Sequence, residues 1–274
     1  MITVDIGGRA VLVTGGTRGL GKAIAMEYTR AGAQVFVTHR WGSVDEADLA
    51  EEFAAADLGP PVVVEADASD PDANRMLMKQ IRDMNGELHT VVSNVSFAKI
   101  VDDVGGLKKS SLDLSLGYSA WPVVDLVQKA HEEFGCYPEY VMAMSSDGAE
   151  VCHEGYDLIG ASKAALETLC RYLAVRLKPH GVRVNVVRAG YVDTPGARTT
   201  FGDEIVETVR ERLGDVFTDP RQVGQACVAL SSGLLDAMTG QVLVVDEGVS
   251  LLVPAAYLTG RPERFVFPGK DGPQ

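Results

Sequence analysis

Basic residues are scarce in this chain. Lys and Arg number 25 against 38 Asp and Glu, which leaves a net charge of −13 and a pI of about 4.8. A protein that binds a phosphate backbone needs a broad basic face, so no nucleic-acid partner is expected. Long apolar runs are missing too: nowhere do roughly 18 apolar residues follow one another, the length a membrane-spanning helix needs. The opening MITVDIGGRAVLVTGG has no basic stretch ahead of an apolar core. The expectation is a soluble, cytoplasmic protein without a membrane partner. Only four cysteines occur, Cys136, Cys152, Cys170 and Cys227, and none forms a C-x-x-C pair, so reduced, buried thiols are expected rather than a disulfide framework. Cys152 and His153 are adjacent but lack the spacing of a metal site. They read as an ordinary loop pair, and no metal is expected. No Pro/Gly/Ser linker and no internal repeat divides the 274 residues, which favours one domain over 1–274.

What is present is a rhythm. Short β-branched runs recur: AVLVTG from Ala10, QVFVTH from Gln34, PVVVEAD from Pro61, TVVSN from Thr90, YVMAMSS from Tyr140, VRVNVVRAG from Val182 and QVLVVDEG from Gln241. Helix-like segments lie between them. Strands this apolar, without polar alternation, are covered on both faces, so the fold class expected is α/β: a doubly wound parallel sheet of about seven strands with helices on both faces, of the Rossmann type. The segment 195–218, rich in Thr, Arg and Gly, interrupts the rhythm and is read as a substrate loop. The tail 254–274 is expected to be irregular.

Directly after the first run comes TGGTRGLG, with Gly15, Gly19 and Gly21, followed by an Ala-rich helical stretch. Glycines permit a tight turn and let backbone N–H groups approach a pyrophosphate, while the helix N-terminus adds positive partial charge. A nicotinamide dinucleotide is the cofactor this context suggests. At the end of the second run, where a carboxylate would bind a free ribose 2′-hydroxyl, stand Thr38, His39 and Arg40, with Arg18 in the turn. Guanidinium groups bind phosphate through paired, charge-assisted hydrogen bonds, so NADP(H) is favoured over NAD(H).

TGGTRGLG, Asp67 after the third run, SNVS after the fourth, Ser145-Ser146 after the fifth, Tyr156 with Lys163, and RAGYVDT after the sixth together resemble the short-chain dehydrogenase/reductase superfamily. The resemblance covers residues 5 to about 252. It implies that Gly15, Thr17, Arg18, Gly19, Leu20 and Gly21 hold the pyrophosphate and 2′-phosphate with His39 and Arg40, and that Asp67 and Ala68 border the adenine. Asn94 lines the adenosine ribose, Lys163 binds the nicotinamide ribose, and Gly190, Val192 and Thr194 hold the carboxamide and nearby phosphate. Tetramers or dimers are common in such a family, and Ala161, Ala164 and Ala165 would permit close helix approach.

Two departures bear on chemistry. The common ketoreductase pattern is Tyr-x-x-x-Lys, yet Ile159 occupies that tyrosine position here and cannot give a proton. The helix asparagine of the family's proton relay falls at Ser119. The Tyr156–Lys163 spacing, the serine pair and the AG before the substrate loop instead look like NADPH-using enoyl-acyl-carrier-protein reductases. On a helix, three residues correspond to about 4.5 Å along the axis, and such a shift suits a donor to the distant thioester oxygen of an enolate rather than to the carbon that takes hydride. Lys163 would lower the phenol pKa by its charge, and Ser146 would give a second hydrogen bond. Asp147 and Glu150 read as solvated charges, and Trp121-Pro122 as a kink.

The function expected is NADPH-dependent reduction of an activated C=C bond, an enoyl thioester of fatty-acid or polyketide-type metabolism, free, CoA-linked or carrier-bound, with Tyr156, Lys163 and Ser146 as catalytic residues. A ketoreductase of a specialised pathway and a non-catalytic NADP-binding sensor or scaffold stay open as alternatives. A carrier protein, usually acidic, would need a basic patch such as Arg198, Arg210 and Arg212.

Overall fold

Successive side chains of an extended strand point to opposite faces. In Ala10–Val13 (β1), Val11 and Val13 pack among Ile24, Ala25 and Tyr28, whereas Ala10 and Leu12 pack among Leu77, Met78, Ile81 and Leu126. Both faces are apolar because both are covered. In the computed structural model, which describes residues 4, 6–40, 44–97, 99–213 and 216–251, six more strands join β1. They are Gln34–His39 (β2), Val62–Glu65 (β3), Thr90–Ser93 (β4), Tyr140–Ser146 (β5), Arg183–Ala189 (β6) and Val242–Val245 (β7). All pair in parallel, in the order β3-β2-β1-β4-β5-β6-β7, and each lies within the apolar run that announced it.

Nine helices connect them among the described residues: Gly19–Arg30 (α1), Glu46–Ala54 (α2), Pro71–Asn85 (α3), Lys109–Ser119 (α4), Pro122–Phe134 (α5), Asp157–Leu177 (α6), Pro195–Phe201 (α7), Asp203–Leu213 (α8) and Pro220–Leu230 (α9). Residues of α1 and α9 cover one face of the sheet; residues of α3, α5 and α6 cover the other. Local chemistry sets many of the ends. Asp45, Asp70, Thr194 and Asp219 accept hydrogen bonds from the first free N–H groups of α2, α3, α7 and α9.

Three expectations change here. Trp121-Pro122 is a boundary rather than a kink: α4 ends at Ser119, and Pro122 opens α5 where a missing N–H costs nothing. The segment 195–218 is largely helical, carrying α7 and α8. Cys136 and Cys152 are exposed, and only Cys170 and Cys227 are the buried thiols expected of all four, because the first two sit in connections outside the strands and helices. The tail 254–274 lies outside the described residues.

The strand order reverses between β1 and β4, and a doubly wound sheet opens a crevice at the strand C-termini there.

Candidate active site

At the dinucleotide end the geometry is set by backbone approach. A Cβ on Gly16 would stand 2.6 Å from Val37 Cγ1, and one on Gly21 would stand 2.3 Å from the Gly15 carbonyl oxygen and 2.6 Å from Asn94 Nδ2. No other residue fits at Gly21. Gly15 turns with φ +63°, and its N–H donates to Thr38 Oγ1 at 3.1 Å. Asn94 holds the turn from β4: its Nδ2 donates to the Thr14 carbonyl at 3.0 Å, and its N–H donates to Thr14 Oγ1 at 3.0 Å. Thr17 is buried and Arg18, just before α1, is exposed, while Leu20 packs on the core. The loop after β6 closes over this turn, since a Cβ on Gly19 would lie 3.6 Å from Thr194 Cβ.

The C-terminal ends of β2 and β3 bring His39, Arg40, Asp67 and Ala68 together. Among the described residues nothing bonds to the buried Nδ1 of His39. Arg40 is more engaged than its sequence position indicated. It pairs with Asp67 Oδ2 at 3.0 Å, donates to the Tyr118 hydroxyl and lies over the Tyr118 ring. Tyr118 in turn donates to Asp67 at 3.0 Å. Burial would raise the Asp67 pKa, but hydrogen bonds from Ser69 and Tyr118 and the charge of Arg40 hold it below the usual value. Ala68 is buried, its carbonyl accepting from Asn74 at 3.0 Å. The glycine cradle and the unpartnered buried imidazole nitrogen fit a nicotinamide dinucleotide.

Tyr156 and Ser146 come together where β5 leads toward α6, and Lys163 lies further along α6. The Tyr156 hydroxyl and Ser146 Oγ share a hydrogen bond of 3.2 Å. The phenol ring lies against Gly148, where a Cβ would approach Tyr156 Cε1 to 2.4 Å. Tyr156 is not within the helix, as its spacing suggested, but caps it; α6 starts at Asp157. Ile159 is buried in the core. Lys163 Nζ is buried and donates to the Met144 carbonyl at 2.8 Å, and burial, partly opposed by Cys170 and Glu167, brings its pKa down to about 8. The expectation of an acidified phenol is reversed: burial raises the Tyr156 pKa, outweighing the hydrogen bond with Ser146, and the Asp147 carboxylate adds to the rise.

Several other residues have partners that spacing did not show. Asp147 is not the solvated charge expected, whereas Glu150 is exposed as expected but carries a partner. Asp147 Oδ2 accepts from His153 Nε2 at 2.9 Å, and Glu150 pairs with Arg188 at 2.8 Å. Arg188 is itself buried against Glu167 at 2.8 Å, and Glu167 accepts from Ser145 Oγ at 2.8 Å. This network ties the ends of β5 and β6 to the middle of α6. His153 is therefore no ordinary loop residue, and its ring lies edge-on to that of Tyr156, 5.8 Å between centroids. Ser119 does not reach toward Lys163; it binds Ser96 Oγ at 3.0 Å and the Phe97 N–H at 3.1 Å, so it anchors the loop after β4. Of the expected basic patch, Arg198 and Arg210 are neutralised. Arg198 donates to both oxygens of Asp193, at 2.7 and 2.6 Å, and also reaches Asp203 and Glu207, and Arg210 reaches Asp193 at 2.9 Å. Gly190 sits where a Cβ would meet Asp246 Cβ at 2.5 Å, and Val192 packs on the core. Signals for the missed groups were faint: a glycine two residues past Ser146, and a six-residue Asp147–His153 interval that only the fold closes.

Among the described residues no cluster of His, Cys, Asp or Glu could hold a metal ion, and no helix is long and apolar enough to cross a membrane. Residues 15–250 match the family model described as enoyl-(acyl carrier protein) reductase. The 1-cyclohexenylcarbonyl-CoA reductase of Streptomyces collinus is 30% identical over 253 residues, covering 89% of this chain and 87% of that protein. The NADP-dependent (R)-specific alcohol dehydrogenase of Lentilactobacillus kefiri is 30% identical over 257 residues, covering 90% and 98%. The solved enoyl-acyl-carrier-protein reductase (NADH) of Aquifex aeolicus superposes with a TM-score of 0.78 at 25% identity, covering 90% of this chain and 98% of that one. With its glycine turn and its seven parallel strands, the chain belongs to the short-chain dehydrogenase/reductase superfamily, in the enoyl-(acyl carrier protein) reductase family, and is an oxidoreductase.

Proposed function

We propose that this protein is an NADPH-dependent reductase of an activated C=C bond, with an α,β-unsaturated acyl thioester of fatty-acid or polyketide-type metabolism as the substrate class. One observation carries the reading. The position one turn before Lys163 is the buried Ile159, while the phenol that meets Ser146 at 3.2 Å belongs to Tyr156, at the helix cap. A donor set back along the chain suits an oxygen several bonds from the carbon that takes hydride, as in an enoyl thioester.

In this reading the turn at Gly15–Gly21, with Thr17, Arg18, Gly19 and Leu20, binds the pyrophosphate, and Arg18, His39 and Arg40 receive the 2′-phosphate. Asp67, Ala68 and Asn94 border the adenosine, and Gly190, Val192 and Thr194 the carboxamide end. NADPH, when bound, supplies the hydride. Tyr156 donates a hydrogen bond to the thioester oxygen as negative charge develops there, Ser146 adds a second donor, and Lys163 orients the ribose, exchanging the Met144 carbonyl for ribose hydroxyls. The neutralised arginines around Asp193 offer an acidic carrier protein little attraction, so a CoA-linked substrate is favoured. The S. collinus relative, whose name specifies a CoA ester, supports this. We also read the chain as one domain that assembles as a dimer or tetramer, in keeping with the exposed Tyr172 and Val175 on α6.

The L. kefiri relative and the Ser146–Tyr156 contact favour carbonyl reduction as the second reading. Loss of NADPH absorbance with crotonyl-CoA, compared with acetoacetyl-CoA, separates the two. Turnover of the enoyl ester is expected, with Tyr156→Phe lowering kcat by about 100-fold. Turnover of the keto ester alone sinks the first reading, and NADPH binding without turnover of either favours a sensor.

A further inference from the structure

The segment between β5 and α6 carries a second ionisable group into the Tyr156 site. His153 Nε2 donates to Asp147 Oδ2 at 2.9 Å, and both side chains are about three-quarters buried. The His153 ring meets the Tyr156 ring edge-on, with 88° between planes. On its other side it faces Tyr191, 6.4 Å away, from the loop after β6, and Tyr191 leads on to Phe217. The segment is pinned next to α6: Tyr156 N–H donates to the His153 carbonyl at 3.1 Å, and the Gly155 carbonyl accepts from Val101 N–H at 3.1 Å. Among the described residues, the titratable groups set against His153 are Asp147 on its own segment, Tyr156 at the cap of α6 and Tyr191 after β6.

We propose that His153, held by Asp147, is a positioning and charge-supplying residue for Tyr156: as an imidazolium it offsets the Asp147 carboxylate and stabilises the negative charge that the phenol shares with the substrate oxygen. The electrostatics are one-directional. Burial most of all, and the Asp147 carboxylate after it, oppose ionisation of Tyr156; with a proton on His153 the Asp147–His153 pair is neutral, and the imidazolium ring lies 5.8 Å from the phenol ring, centroid to centroid. The hydrogen bond to Asp147 raises the His153 pKa above its ordinary value, with burial acting against it, so the charged form persists toward neutral pH. No bond other than hydrogen bonds forms or breaks at His153 itself. The proton that Tyr156 gives up is replaced from solvent.

This role rests on the proposed donor function of Tyr156, and the test keeps the two apart. First, the Cε1–H signals of the five histidines are followed by NMR against pH in the cofactor-free protein, with His153→Asn identifying the signal. His153 is expected to titrate above about 6.5, and Asp147→Asn to lower its midpoint by about one pH unit. Second, the pH profile of kcat is measured with NADPH and whichever thioester the wild type turns over. The wild-type rate should fall as pH rises through the His153 midpoint. In His153→Asn that limb should vanish and kcat below it should drop about tenfold, with NADPH Kd unchanged. A wild-type profile that ignores the His153 midpoint overturns the proposal. So does a variant whose profile is parallel to the wild type's at every pH, which marks a structural role. If the enoyl ester is inert and the keto ester reacts, the enoyl reading fails while the His153 result stands.

Discussion

The two ends of the site are built by different physics. The dinucleotide end is made of backbone: Gly16 and Gly21 leave no room for a Cβ, Asn94 and Thr38 hold the turn by hydrogen bonds, and the crevice lies where the strand order reverses. The end proposed to take the substrate is made of paired side chains, carboxylates on connections with partners on the same connection or on β6, α7 and α8: Asp147 with His153, Glu150 with Arg188, Asp193 with Arg198 and Arg210. Backbone cradles tolerate almost no substitution and serve any substrate. Paired side chains can be exchanged one at a time, which lets one superfamily carry many substrates on a single cofactor platform.

The sharpest way to separate the two ends is to damage the first alone. Gly21→Ala puts a methyl group 2.3 Å from the Gly15 carbonyl oxygen and 2.6 Å from Asn94 Nδ2, and backbone cannot yield as a flexible side chain can. NADPH Kd, read by fluorescence titration, should weaken about 100-fold, about 2.7 kcal/mol. If binding holds within threefold, the cradle is not the cofactor site.

The complementary damage is at Gly148, where alanine would drive a methyl group to 2.4 Å from the Tyr156 ring. The ring must tilt, and the hydroxyl leaves Ser146. A misplaced donor should lower kcat about 30-fold while NADPH Kd stays within twofold. A matched loss of cofactor affinity would show that the two ends are not separable.

Legibility followed the same division. Strands covered on both faces read as unbroken apolar runs, so all seven were visible, and glycines required by close approach are a local pattern. The closeness of Tyr156 to Ser146 was legible through spacing along one segment. What stayed hidden were contacts closed only by the fold. Tyr118 meets Arg40 across 78 residues, and Ser145 meets Glu167 across 22. Asp193 neutralises arginines that composition alone counted as a patch. The reversed phenol shift has the same origin, since spacing places a lysine near a tyrosine but cannot state how deeply either is buried.

Lys163 stands between the two ends, and its charge tests how tightly they are joined. Burial lowers its pKa from 10.5 to about 8 in the cofactor-free protein. Below about pH 8 the lysine is charged in both folded and unfolded chains, and the cost of burying that charge is fully present. Between about 8 and 10.5 the unfolded chain binds more protons, so this residue makes stability rise with pH. From the cited shift the relief should reach about 1.4 kcal/mol by about pH 9. Lys163→Met removes the titrating group, so the stability gap between variant and wild type should narrow by that amount from about pH 7 to 9 in urea unfolding without cofactor. Curves that run parallel over this range would mean that Lys163 keeps its ordinary pKa, held charged by groups nearer than the Met144 carbonyl.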